Sequence, residues 1–172
     1  RYSMEYPEEN YKLMSPLHAA VEKENLEIIK LLLEKDSINV NAIRVELTNN
    51  PDGNGKHIQR RERTALVFAV ENENVEIVKL LLSSAKIDPN LPRVYFCYRD
   101  EHEEWNSEIN NDENTPLHIA INKNNIEICK LLLSIDRIDP NRPQIKLYSD
   151  IYVDDREVWD ERRAPDEDPF AG

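Results

Sequence analysis

Four residues would matter most if this chain were an enzyme: His18, His118, Cys97 and Cys129. The two histidines occupy the same place in two related motifs, at 15–20 and 115–120. A third copy of the motif has Val67 there, and a catalytic pair of histidines would not tolerate a valine in the shared role. We therefore expect both histidines to be structural.

The two cysteines fit the same interpretation. Cys129 falls on the apolar side of an expected helix, and Cys97 falls in an expected strand. Buried thiols are weak nucleophiles, because burial disfavours the thiolate. The sequence also has no glycine-rich phosphate loop, no Cys-x-x-Cys motif and no nucleophile elbow. We therefore expect no enzyme activity.

Two segments have residue types that could bind a cation, and both have a simpler explanation. His102 lies among the acidic residues of the segment 100–104, which also suits a solvated hairpin tip. The segment 50–55 resembles the start of an EF-hand calcium loop, but Arg61 occupies the position that requires a bidentate glutamate. We expect no metal site and no cofactor.

The charge balance excludes several classes of partner. The 172 residues include 22 Lys and Arg against 34 Asp and Glu, which gives a net charge of −12. A general nucleic-acid binder would be basic, so we expect no nucleic acid as partner. The longest strongly apolar runs have three to five residues, whereas a membrane helix needs about 20. We therefore expect no membrane insertion. Because two cysteines cannot form a disulfide framework, we expect a cytoplasmic protein.

An internal repeat organises the chain. Three blocks of 27 residues align without gaps, at 15–41, 64–90 and 115–141, and begin 49 and 51 residues apart. The third block shares 15 residues with each of the others. Each block predicts two short helices, because apolar residues recur at helical spacing after a capping Ser or Thr. One such helix pair cannot bury its apolar face alone, so we expect the three pairs to stack.

The motif Thr-Pro-Leu-His-Ile-Ala at 115–120, the later Lys-Leu-Leu-Leu run and the closing Asn141 resemble the ankyrin repeat. The copy at 15–20 differs only at its first residue, whereas the middle copy has Ala65 and Val67 in place of Pro and His. The resemblance implies an α-rich repeat solenoid of three ankyrin-type helix-turn-helix units, each with a projecting β-hairpin. It also implies that the histidines hydrogen-bond within and between repeats.

The chain departs from the family pattern after each first helix, where ankyrin repeats usually have glycine. This position is occupied here by Glu24, Glu73 and Asn124. A left-handed backbone costs a residue other than Gly or Asn about 1 kcal/mol. We therefore expect the asparagine that follows, at 25, 74 and 125, to adopt the left-handed conformation instead.

A second departure is the length of chain between the blocks. Apolar residues recur there at the fourth and sixth positions after each closing asparagine, as in Val45 and Leu47. This alternation predicts strands, and we expect extended hairpins that form a small antiparallel sheet. The predicted hairpins are 42–63, 91–114 and 142–153. They belong to a single ankyrin-repeat domain at 1–153, which an acidic tail follows at 154–172.

Aromatic residues concentrate in these hairpins. Tyrosine and tryptophan are common anchors of protein interfaces, but they are also common in strands, where they pack against one another. Among them, our candidates for exposed contacts to a partner are Tyr95, Tyr98 and Trp105.

Charge is divided between the hairpins. Segment 42–63 has a net charge of +2, and segment 91–114 has a net charge of −5. In one interpretation the hairpins attract each other, and the acidic residues 100–104 face the basic residues Lys56, Arg60, Arg61 and Arg63. In the other, the acidic hairpin steers a basic partner.

The family resemblance implies a protein-interaction module that binds through its hairpins and through the inner face of its first helices. By motif position, that inner face has the exposed residues Glu22, Lys23, Glu71, Asn72, Asn122 and Lys123. The partner is then another protein, bound by a preformed surface that loses little entropy on binding. The alternative is a structural subunit packed permanently in a filament or cytoskeletal assembly, where an exposed outer hairpin favours self-association.

Overall fold

The computed structural model describes residues 10–49, 55–101 and 106–152. The helices are α1 (Pro16–Glu22), α2 (Leu26–Leu33), α3 (Ala65–Glu71), α4 (Val75–Leu82), α5 (Pro116–Asn122) and α6 (Ile126–Leu133). The strands are β1 (Tyr11–Leu13), β2 (Arg44–Asn49), β3 (Gly55–Arg63), β4 (Arg93–Glu101), β5 (Asn106–Asn114) and β6 (Ile145–Tyr152). Each repeat contributes one pair of helices, and the chain between repeats forms strands. This arrangement confirms the predicted repeat solenoid with hairpins.

The same cap begins every second helix. The side-chain oxygens of Asn25, Asn74 and Asn125 accept hydrogen bonds from the backbone N–H groups three residues later, at 3.0, 3.1 and 3.0 Å. Thr64 and Thr115 cap the first helices of their repeats in the same way. Helices of seven or eight residues are too short to be stable in isolation. Their stability therefore comes from packing between repeats.

The residue after each first helix adopts the left-handed conformation. Glu24, Glu73 and Asn124 have φ angles of 53°, 57° and 55°. Our expectation that the next asparagine takes this role is wrong, because Asn25 and its equivalents have negative φ angles and cap the second helix. The left-handed backbone conformation therefore costs each of the two glutamates roughly 1–2 kcal/mol of conformational free energy.

One hydrophobic core runs through the three repeats. Equivalent leucines of the first helices, Leu17, Leu66 and Leu117, are all buried. The middle pair is buried most completely, because it has a neighbour on each side: Val70 and Val78 have no exposed surface. Packing against neighbouring repeats is the usual source of stability in such arrays.

The asparagine that closes each block joins one repeat to the next. The Asn41 amide donates to the carbonyl of Lys86 at 2.9 Å and accepts from the N–H of Asp88 at 2.9 Å. Asn90 makes the same two bonds to the third repeat, where the partners are the Arg137 carbonyl at 2.9 Å and the N–H of the residue two positions later at 2.8 Å. These repeated bonds fix how the units stack.

All six strands form one antiparallel sheet in chain order, from β1 to β6. The strands β3 and β4 pair across a repeat boundary, so the hairpins of neighbouring repeats share the sheet. The predicted alternating positions Val45, Val94 and Ile145 lie in one row across it. The sequence does not predict β1, because its three residues give too little alternation to recognise.

Candidate binding surface

Two rows of sheet residues face the first helices of the repeats. Residues directly opposite one another in an antiparallel sheet lie on the same face. The first row contains Arg44 and Arg63, and the next contains Lys12, Glu46, Arg61 and Tyr95. Arg93 is two residues before Tyr95 in β4, so it is on the same face, next to the first row. Ion pairs from Arg44, Arg63 and Arg93 reach Glu22 of α1 and Glu71 of α3. We call this sheet face, together with residues 22–23, 71–72 and 122–123 of the first helices and their ends, the inner surface.

Carboxylates and cations alternate along the first part of the inner surface. Glu22 lies 2.8 Å from Lys12 and 3.5 Å from Arg44, and Glu46 contacts both Arg44 and Arg63. The hydrogen bond from Lys12 and the charge of Arg44 lower the pKa of Glu22. Burial opposes the ionisation of Glu46, but the hydrogen bond from Arg44 and the neighbouring positive charges outweigh burial and lower its pKa. Both glutamates are therefore ionised at neutral pH.

The arginines next to the helices are largely buried. The side chains of Arg44 and Arg63 are 4% and 10% exposed, and both guanidinium groups lie over the ring of Phe68, at 4.7 and 5.2 Å from its centre. Glu71 accepts from Arg63 at 2.8 Å and from Arg93 at 3.2 Å. Because a buried charge without a partner is costly, these contacts hold the sheet and the first helices in one relative position.

A pocket of about 580 Å³ lies between strands β3 and β4 and helices α3 and α5. It is lined by Arg61, Arg63, Glu71, Arg93, Tyr95, Ile119, Asn122 and Lys123. The Arg61 guanidinium lies over the Tyr95 ring at 5.6 Å, and Lys123 lies 3.2 Å from Glu73. The pocket therefore offers charged, aromatic and apolar contacts from two adjacent repeats, in a volume typical of ligand sites.

Four residues that the sequence predicts as partner contacts lie together in this pocket: Glu71, Tyr95, Asn122 and Lys123. Glu22 lies further along the inner surface, in the ion pairs of the first repeat. Lys23 and Asn72 are exposed at the ends of α1 and α3. The structure thus brings residues from the helices and from one hairpin to a common surface.

The other two predicted aromatics do not join this group. Tyr98 is three residues after Tyr95 in β4 and pairs with Ile58 and Ile109. Strand positions an odd number of residues apart belong to opposite faces, so the position of Tyr98 is on the other face of the sheet. Trp105 lies outside the residues that the structure describes.

The expectation that Glu71 is exposed is wrong. Its side chain is only 16% exposed, because it lies between the guanidinium groups of Arg63 and Arg93. Motif position gave no information about the strands that cover this residue.

In the described part of the sheet, the interpretation that basic residues of the first hairpin face acidic residues of the second is wrong for Arg60 and Arg61; Glu103 and Glu104 lie outside the described residues. The register places Arg60 opposite Phe96 and Arg61 opposite Tyr95, and only Lys56 has an acidic residue, Asp100, opposite it. The net charge of a segment does not distinguish the two faces of a strand, and the charges of β3 alternate between those faces.

Sequence reasoning missed the inner-surface arginines as candidate contacts. Arg61 and Arg63 are two residues apart, and so are Arg93 and Tyr95. Even spacing in a strand places side chains on one face. Because Tyr95 was already a candidate contact, this spacing could have identified Arg93 as its neighbour on the same face of the strand.

Three of the four residues considered first for catalysis have described side chains, and these have structural surroundings; the side chain of Cys97 lies outside the described part of the structure. His18 is buried, and its ring nitrogens lie 2.8 Å from the Ser15 hydroxyl and 3.0 Å from the Arg63 carbonyl. Nδ1 of His118 lies 2.8 Å from the Thr115 hydroxyl. Cys129 is half-buried, and burial raises the pKa of its thiol. These contacts agree with the structural interpretation of these residues.

The segments considered for a cation lie largely among residues 50–54 and 102–105, which are outside the described part of the chain. Within the described ranges, no three His, Cys, Asp or Glu residues are grouped so that they could hold a metal ion. None of the described helices is long and apolar enough to cross a membrane.

Comparison with known families agrees with the repeat architecture. A family model described as ankyrin repeats (3 copies) matches residues 5–93 and residues 47–144. Comparison with curated proteins and with solved structures gave no significant match. The two family matches overlap and together include all six helices. The chain therefore belongs to the ankyrin repeat family.

Proposed function

We propose that the chain binds another protein on its inner surface. Ankyrin repeats are generally protein–protein interaction modules, and the family is typically non-catalytic. The observation that carries the proposal is the pocket between β3, β4, α3 and α5, which collects Tyr95 and three arginines beside Asn122 and Lys123. Tyrosine and arginine are enriched among the residues that dominate binding energy at protein interfaces.

The rigidity of the inner surface supports the same proposal. Arg63 contacts Glu46 in the sheet and Glu71 in α3, so strand and helix are tied together. His18 and Asn90 tie neighbouring repeats through hydrogen bonds to backbone groups. A surface held in this way loses little conformational entropy when a partner binds, which leaves more of the contact energy as affinity.

Affinity capture with point variants tests this proposal. The full chain serves as bait in a lysate of cells that produce it, and captured proteins are identified by mass spectrometry. The inner-surface variant has Tyr95→Ala and Asn122→Ala. The control has Lys79→Ala and Lys130→Ala, because these lysines are exposed on the second helices.

We expect a partner that the wild-type chain and the control capture and that the inner-surface variant loses. Circular dichroism verifies that all three baits have the same helix content. If the inner-surface variant captures the same proteins in the same amounts as the control, the proposal is wrong.

The second candidate is a structural subunit of a larger assembly, and the two ends of the stack favour it. Ile28 in the first repeat is 46% exposed, whereas the equivalent Ile77 in the middle repeat is 1% exposed. Ile121 in the last repeat is 58% exposed, whereas the equivalent Val70 is fully buried. A permanent assembly would bury these apolar side chains as the neighbouring repeats do in the middle of the stack.

Light scattering over a range of concentrations tests the second candidate. Self-assembly predicts a molar mass that rises with concentration, and Ile121→Lys should suppress this rise because it places a charge in the contact. A constant monomer mass for the wild-type chain would contradict self-assembly and leave the binding proposal unaffected.

A further inference from the structure

The part of the inner surface nearest the first helices is basic, although the chain as a whole has a net charge of −12. Among the described side chains, the two sheet rows there hold the basic residues Lys12, Arg44, Arg61, Arg63 and Arg93. The same rows hold the acidic residue Glu46, and the helices add Glu22 and Glu71. Positive charge therefore exceeds negative charge on this part of the surface, even before Lys23 and Lys123 are counted.

The opposite face of the sheet lacks this excess. The two rows of the opposite face whose positions alternate with the two basic rows hold one basic residue, Arg60, and two acidic residues, Glu62 and Glu113. Because alternate residues of a strand belong to opposite faces, the sequence separates the charges by placing them at even or odd positions. The basic face is the one that also forms the pocket.

Arg61 is the most available cation in the pocket. Its side chain is exposed, lies over the ring of Tyr95 and donates to the Gln59 side-chain oxygen at 3.3 Å. Among the described residues, none of its contacts is with a carboxylate. An arginine has five N–H donors, so Arg61 retains the capacity to bind an incoming carboxylate in a bidentate manner.

Lys123 is the second available cation. Its ion pair with Glu73 is on the surface, since the two side chains are 36% and 46% exposed. Exposed pairs of this kind contribute little to stability, so another carboxylate can replace Glu73 at little cost. Arg63 and Arg93 are held by the shared carboxylate of Glu71, and they add positive potential behind Arg61 and Lys123.

We propose that this pocket binds carboxylate side chains of an acidic segment of the partner protein, an inference that rests on the proposed function. The carboxylates pair with Arg61 and Lys123, and the aliphatic parts of the segment pack on Tyr95. The volume of about 580 Å³ admits a few side chains of a polypeptide. The net charge of −12 disfavours a nucleic acid, whose many phosphates would be repelled by the rest of the chain.

Selection from a library of short random peptides tests the acidic preference and does not require the partner to be identified first. The full chain is immobilised, and the bound peptides are sequenced and compared with the unselected library. We expect enrichment of Asp and Glu among the peptides that bind. Fluorescence anisotropy then compares one selected peptide with the same peptide after each Glu is replaced by Gln and each Asp by Asn, and we expect about tenfold weaker binding for the neutral peptide.

Matched charge reversals locate the binding. The test variant has Arg61→Glu and Lys123→Glu, and the control has Lys79→Glu and Lys130→Glu, which changes the net charge of the chain equally. We expect the test variant to bind a selected peptide about tenfold or more weakly than the wild type. We expect the control to bind it within about twofold of the wild type, because its substitutions are on exposed positions of the second helices that do not line the pocket. Circular dichroism of both variants confirms that they remain folded.

The results separate this inference from the proposed function. If selected peptides show no enrichment of acidic residues, or if both charge-reversed variants bind equally well, the acidic-segment inference is wrong. Loss of a captured partner on Tyr95→Ala and Asn122→Ala would still support binding at the inner surface in that case. If capture shows no dependence on the inner surface, the proposed function itself fails.

Discussion

His18 ties the first repeat to the second. Its Nε2–H group donates to the Arg63 carbonyl at 3.0 Å, so Nδ1 accepts the proton of the Ser15 hydroxyl at 2.8 Å. Burial lowers the pKa of His18 below the usual 6.5. The hydrogen bond to Arg63 opposes this effect, and the charges of Arg44 and Arg63 reinforce it. The folded protein therefore holds His18 in its neutral form at neutral pH.

A buried neutral histidine makes the fold less stable in mild acid. The unfolded chain takes up a proton at His18 near pH 6.5 while the folded chain resists it, so the free energy of unfolding falls as the pH falls below about 6.5. One histidine contributes at most about 1.4 kcal/mol per pH unit. Urea unfolding between about pH 7.5 and about pH 5.5 should show a smaller decrease for His18→Gln than for the wild type.

Parallel decreases for the two proteins would contradict this role of His18. Glu22 and Glu46, which lie near the same arginines, do not affect this comparison, because their pKa values are below the usual 4.5. Their stabilising contribution is present above that pH and is lost only as the pH falls below about 4.5.

Glu71 is the second residue with a measurable structural role. Glu71→Gln removes the carboxylate that Arg63 and Arg93 share. Because Arg63 is buried, water cannot fully replace the lost carboxylate as its partner. We expect a loss of about 2 kcal/mol in the free energy of unfolding, less than the cost of breaking a fully buried pair. The control Glu76→Gln on exposed α4 surface should change stability by less than about 0.5 kcal/mol. If urea unfolding shows the same loss of unfolding free energy for Glu71→Gln and Glu76→Gln, the shared carboxylate does not contribute specifically to stability.

At the scale of the elements, the turn between paired helices carries unfavourable backbone geometry. Glu24 has a φ of 53°, where a side chain clashes with the neighbouring carbonyl oxygen. Glu24→Gly should therefore raise the free energy of unfolding by about 0.5–1 kcal/mol, since the relief exceeds the extra entropy that glycine loses on folding. Urea unfolding at neutral pH provides the measurement.

The matched control for Glu24→Gly is Lys79→Gly in the interior of α4. Glycine in an exposed helix interior should lower the free energy of unfolding by about 1 kcal/mol. The two substitutions therefore have opposite expected signs. A destabilised Glu24→Gly protein would contradict the presence of strain at this turn.

The elements themselves follow closely from the sequence. The helix pairs are predicted by the capping residues and apolar spacing of the 27-residue blocks, and β2, β4 and β6 by apolar residues at matched distances from each closing asparagine. The left-handed turn residue is not predicted correctly, because intrinsic preference favours Asn25 over Glu24. The cap that Asn25 makes to Ile28 explains why the asparagine stays out of the left-handed region.

The candidate site is less predictable than the elements. Motif position places Glu71, Asn122 and Lys123 on one helix face, but the arginines that complete the pocket come from strands of different hairpins. Their approach depends on the pairing of β3 with β4 across a repeat boundary. A repeat pattern in the sequence does not give that register.

At the scale of the whole molecule, the helices and the sheet act as one support for the inner surface. Each repeat is joined to the next by the core, by the closing asparagine and by the sheet. The pocket lies at a boundary between repeats, with walls from α3 and α5. Any loss of stacking between the second and third repeats should therefore also disrupt the pocket.

Site-specific photo-crosslinking tests most directly whether a partner occupies the inner surface. The photoreactive residue benzoylphenylalanine replaces either Asn72, which is exposed on the inner surface at the end of α3, or Leu31, which is 59% exposed on α2. After irradiation in lysate, we expect a partner protein linked at position 72 and absent at position 31. A partner linked at position 31 and never at position 72 would contradict binding on the inner surface.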